Sequence, residues 1–234
     1  MTAIEAIPGE AFVDELEEIR GEWQSGDRRG GARSRDEAAD ARRRGLRGGS
    51  NNHTFTGEQY LNCTDKVMRR KHLQKIMDEG GQSNFGGPIP SHITLQKWEA
   101  NAYGLTDEEL QILEQEDLTP ENLITGGWRI FVTRHEPFPI TTGLSYEGEG
   151  GRYMESLREP EKIAARLEAL RKQFESWGIE DIDRAMANAA VHAEADEDHG
   201  SLTQNAIRQY CDTPELQEKM RQVFILRHYS RGDF

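Results

Sequence analysis

An all-α fold, a single domain of about seven helices spanning residues 1–234, is the architecture this sequence predicts. Three observations predict it. Apolar residues recur three or four positions apart through most of the chain. Helix-starting and helix-stopping residues bracket those stretches. Two-residue alternation surfaces only in scraps such as "WRIFV" at Trp128–Val132.

Residues 10–24 place Phe12, Leu16, Ile19 and Trp23 at helical spacing. Residues 26–49 are rich in Arg and Gly and are expected to be irregular or disordered, because such composition buries little apolar area. A helix is expected from about Gly57 to Asp78, with Tyr60, Leu61, Val67, Met68, Leu73, Ile76 and Met77 as apolar positions, stopping at Gly80-Gly81. After a Gly/Pro-rich loop, "HITLQKWEANAYGL" reads as a helix closed by Gly104. Thr106 followed by Glu109 is a capping-box pattern opening the next one. Ile163, Leu167, Leu170 and Phe174 mark an amphipathic helix ended by Gly178, and residues 179–200 form another. Pro214 suits the first turn of the last helix.

The formal charge of −13 excludes nucleic acid as the main partner, since backbone phosphates would be repelled. No 18-residue apolar run is present, so no membrane span is expected. The N-terminal residues lack the basic and apolar regions of a secretory leader. Two distant cysteines, Cys63 and Cys211, make a disulfide scaffold or cysteine zinc site improbable and fit a reducing cytoplasm. Against the acidic balance, arginines crowd between Arg20 and Arg47. That run reads either as a basic arm for an acidic partner or as a poorly ordered surface segment.

Chemistry concentrates in "HAEADEDHG", which begins at His192. On a helix, His192, Asp196 and His199 share one side within about 10 Å along the axis. Imidazole nitrogen with carboxylate oxygen suits a divalent metal such as iron or manganese. The alternative is an acidic surface helix carrying incidental histidines. Glu194, Glu197 and Asp198 fall on other faces. Facing helices must supply further donors for a buried centre. Glu79 at a helix end, His92 in the first turn of the next helix, and Glu147, or Glu149 nearby, are the candidates. His72, seven residues before Glu79, would stand behind the ligands at most. His135 and His228 have no partner pattern and read as non-ligands.

The order "MDEGG…SHITLQKWEANAYGLTDEEL…GLSYEG…HAEADEDHG" resembles the haem-oxygenase-like diiron oxidases and oxygenases over roughly residues 57–200. The resemblance implies an all-α, seven-helix haem-oxygenase-like bundle, shared with thiaminase II and pyrroloquinoline-quinone synthase. It implies Glu79, His92, Glu147, His192, Asp196 and His199 as ligands of two Fe(II) ions, with Glu149 or Glu159 as alternatives for the middle carboxylate. It further implies an oxidoreductase with O2 as co-substrate, acting on an amine-, amino-acid- or fatty-acid-like molecule in biosynthesis. N-oxygenation and oxidative C–C cleavage are such reactions. No catalytic residue beyond the ligands is implied.

Phe55, Tyr60, Trp98, Phe131 and Tyr146 are candidate pocket walls, with ordinary core packing as the plainer reading. Arg129 and Arg134 could pair with a substrate carboxylate, or simply be surface arginines. Two other functions compete. One is a metal-free enzyme of the thiaminase II or quinone-synthase kind, although neither cysteine has a nucleophile context. The other is a non-enzymatic helical interaction protein working through its basic and acidic surfaces. A homodimer is compatible with the sequence.

Overall fold

A computed structural model describes residues 5–26, 34–47, 52–81, 90–147 and 151–229. They form twelve helices and no strand. These are α1 (Gly9–Gly26), α2 (Arg35–Leu46), α3 (Asn52–Asn62), α4 (Lys66–Glu79), α5 (His92–Ala102) and α6 (Asp107–Gln115). The rest are α7 (Pro120–His135), α8 (Phe138–Ser145), α9 (Gly151–Arg158), α10 (Pro160–Ser176), α11 (Ile182–Tyr210) and α12 (Pro214–Tyr229). No described helix is long and apolar enough to cross a membrane.

The all-α class holds, but the described residues form twelve helices where about seven were expected. The stretch from Gly57 to Asp78 divides because the Asp65 side chain accepts from the Val67 and Met68 amides and starts α4 afresh. "WRIFV" is helical, inside α7, where Val132 is buried and Trp128 packs one turn before it. The prediction for residues 26–49 is corrected over 35–46, which form α2. A reciprocal capping box between Ser34 and Glu37 opens that helix, and Ala38, Ala39 and Leu46 are buried. Residues 27–33 and 48–50 lie outside the described residues. Gly104 and Gly178 do close their helices, at φ of 103° and 70°, values costly for a residue with a Cβ.

Arg42 and Arg43 of α2, and Arg47 at its C-cap, have acidic partners within the chain. Arg42 pairs with Glu99 of α5, Arg43 with Glu109 of α6 at 2.6 Å, and Arg47 with Glu116 at 2.6 Å. They tie α2 to an acidic neighbour, with Ala39, Leu46, Ala100, Leu105, Leu110 and Leu113 as the apolar layer between. Arg20 is buried too.

α8 is buried at every residue. Its Ile140 and Leu144 join Phe12, Leu16, Ile207, Met220 and Phe224 in the largest core cluster, drawn from α1, α11 and α12. α1 is fastened at its start by Gln217, whose amide exchanges hydrogen bonds with both backbone groups of Ile7. Phe12 and Leu16 are core as expected, Ile19 packs against them, and the Trp23 side chain lies outside the described residues. α11 runs on past Gly200, because Ala206 and Ile207 continue its buried face.

One helix departs from a simple apolar-inside pattern. On α4, Val67, Leu73 and Met77 are exposed, contrary to their expected core role, while His72 and Lys75 are 2 % and 5 % exposed. Met68, His72, Lys75 and Glu79 follow one another at helical spacing along the inner face, which meets α5 and α11. The interior on that side is polar.

Candidate metal centre

Three helices bring the first group of expected ligands together. Glu79 is the last residue of α4, and Gly80 and Gly81 turn the chain away. His92 is the first residue of α5, whose N-cap Ser91 accepts from the Thr94 amide. Their side chains meet, with His92 Nδ1 3.0 Å from Glu79 Oε2. From α11, His192 lies edge-on to His92, with ring centroids 4.6 Å apart and planes at 86°. All three are partly buried, and they come from distant parts of the sequence.

A polar seam supports them along the antiparallel contact of α5 and α11. His192 Nδ1 is 2.7 Å from the Asn188 carbonyl. With Nδ1 donating there, Nε2 keeps its lone pair for a metal. The Asn188 side chain donates to Glu99 Oε2 at 2.5 Å, and Tyr103 donates to Glu99 Oε1 at 2.6 Å. Arg42 completes the partners of that buried carboxylate. Burial first, and then the adjacent Glu99 carboxylate, raises the Tyr103 phenol well above its ordinary value. Tyr103 therefore acts as a hydrogen-bond donor and stays neutral.

Glu147 is buried and sits beside a different imidazole, with its Oε1 3.7 Å from His228 Nδ1. That is beyond hydrogen-bond range. α11 is continuously helical from 192 to 199, so positions 192, 196 and 199 share one side of its axis. The side chains of Asp196 and His199 lie outside the described residues, as does residue 149. Among the described residues no group of three His, Cys, Asp or Glu closes into a metal-holding set. Glu159 is the N-cap of α10, paired with Lys162.

The proposed substrate residues are dispersed. The Arg69 guanidinium covers Tyr60 at 4.7 Å and that of Arg184 covers Trp98 at 5.1 Å. Arg129 lies over the buried Phe55 ring at 4.0 Å. Arg134 is exposed and forks onto Glu58, with Nε at 2.9 Å, which holds that carboxyl below its ordinary value. Phe131 is exposed, and Tyr146 is fully buried with its hydroxyl on Glu17 at 2.6 Å.

Sequence reasoning passed over Glu99 and Asn188 and read His228 as a residue without a partner pattern. Glu99 lies seven residues after His92, hence on the same face of α5, a spacing that could have flagged it. His228 carries no such signal, because only the packing of α12 brings it to Glu147. These features define an all-helical protein with a partly buried carboxylate–imidazole contact between helices. Among known proteins, no family model and no curated sequence matches this chain.

Proposed function

We propose that the chain is a non-haem diiron oxidase or oxygenase with a haem-oxygenase-like seven-helix core, oxidising an amine-, amino-acid- or fatty-acid-like small molecule in the cytoplasm. The observation that supports this reading is the pair of contacts His92 makes with residues of two other helices, Glu79 at 3.0 Å and the His192 ring at 4.6 Å. Cis donors on one metal stand about 3 Å apart when metal–ligand bonds are about 2.1 Å. The Glu79–His92 separation of 3.0 Å suits that, as it suits an N–H···O bond.

The donor chemistry fits iron. Glu79, His92, Glu147, His192, Asp196 and His199 would be the ligands, three carboxylates and three imidazoles. Two ferrous ions held there would supply the electrons for O2 activation that side chains lack. The rest of the work falls to this chain. The Asn188 carbonyl keeps the proton on Nδ1 of His192 and aims Nε2. Glu99, neutralised by Arg42, fixes Asn188 and thereby the register of α5 against α11. The inward polar face of α4 leaves room for charged groups where an aliphatic face would exclude them.

Anaerobic Fe(II) titration tests the reading. Close to two irons per chain are expected, as in carboxylate-bridged helical bundles. His192→Ala and Asp196→Ala should each lower that number. Uptake unchanged in both variants rejects the assignment. Absence of iron uptake by the parent chain would point to the metal-free enzyme or the interaction protein instead.

A further inference from the structure

We propose that Arg20, held by Glu17, is a positioning residue for Glu147, so that α1 clamps the end of α8 and thereby the middle carboxylate of the centre. The inference rests on the diiron reading above. Tyr146 and Glu147 form a wider, π-type turn where α8 ends. Carbonyls at a helix end lack intrahelical partners, and π-type turns leave the local backbone under-bonded. Arg20 Nη2 reaches the Tyr146 carbonyl there at 2.6 Å. Its Nη1 pairs with Glu17, and Glu17 Oε1 in turn accepts the Tyr146 hydroxyl at 2.6 Å. One ion pair from α1 thus grips the residue before Glu147 by both its backbone and its side chain.

The same guanidinium lies over the rings of Tyr146 and Phe224, at 4.9 and 5.2 Å. Phe224 is one helical turn before His228, the imidazole beside Glu147. Arg20 therefore touches the supports of both groups. The side chains of Arg20 and Glu17 are 7 % and 8 % exposed, and desolvating such a pair costs more than an apolar replacement would. The geometry of the pair, with Nη2 on the Tyr146 carbonyl, serves the turn.

The test uses the full chain and Arg20→Gln, with two readouts. Amide hydrogen exchange over residues 145–147 should become at least about tenfold faster, as loss of one charge-assisted hydrogen bond implies, while α10 and α11 exchange as before. In anaerobic Fe(II) titration the variant should fall from two irons to about one, and Arg20→Lys should recover part of both signals. Wild-type exchange at 145–147, or two irons retained in the variant, overturns the inference and leaves the diiron reading standing. No iron uptake by the parent chain overturns the diiron reading and this inference with it. If Arg20→Gln does not fold, Glu17→Gln is read in the same way, because it keeps an acceptor for Tyr146 and removes the charge that holds Arg20.

Discussion

The Asn188 carbonyl receives His192 Nδ1 at 2.7 Å while the Asn188 side chain donates to Glu99, so one residue couples a candidate ligand to a buried carboxylate of the interior. Glu99 is held by three groups: Arg42 of α2, Asn188 of α11 and Tyr103 at the C-cap of its own helix, α5. The segment of α11 that carries His192 is therefore braced through Asn188.

Removing that brace should be expensive. Glu99→Ala leaves Arg42, Tyr103 and Asn188 without their shared acceptor, and a loss of about 2–4 kcal/mol is expected in urea unfolding. Glu99→Gln, which keeps an oxygen for Tyr103, should lose less. Equal losses would show that the charge has no special role.

The N-cap of α4 sets an acid limit. Backbone donation from Met68, then the Tyr210 hydroxyl, lowers the Asp65 pKa from 3.8. A depressed carboxyl stabilises the fold fully above its unfolded value and ceases to as pH falls through the folded value. The stability gap between the parent and Asp65→Ala should hold above about pH 5 and shrink below 3.8. A gap independent of pH, read from denaturation midpoints, would contradict a charged cap.

Both cysteines should be inert in the native state. Burial pushes the Cys211 thiol up to about 12 and raises Cys63 as well, so neither presents a thiolate at neutral pH. Iodoacetamide at pH 8 should label them only after unfolding, as intact mass would report. Rapid native labelling would place one of them at an accessible site.

The contact between α8 and α12 is close enough to be tested by one methyl group. A Cβ on Gly143 would stand 2.1 Å from Met220 Sδ, and Met220 is fully buried. Gly143→Ala should destabilise by about 1–3 kcal/mol, and Met220→Ala should relieve part of that in the double variant. Strict additivity would mean that the two helices separate freely.

The all-helical class and several helix ends were legible in the chain itself. Periodicity, Thr106, Gly104, Gly178 and Pro214 are local signals, and local backbone chemistry decides them. The break at Asp65 and the helix at 35–46 were locally encoded too, through caps whose strength competition with apolar periodicity or an Arg-rich composition obscured. What no local pattern contains is which face turns inward. Val67, Leu73 and Met77 point out and His72 and Lys75 point in because α4 is rotated by its neighbours, not by its own hydrophobicity. Likewise Arg20, in sequence the start of a basic run, becomes a buried clamp only when α1 lies against α8. Long-range packing alone decides whether a charged side chain meets water or a partner, and so it alone brought His92 to Glu79 and to His192.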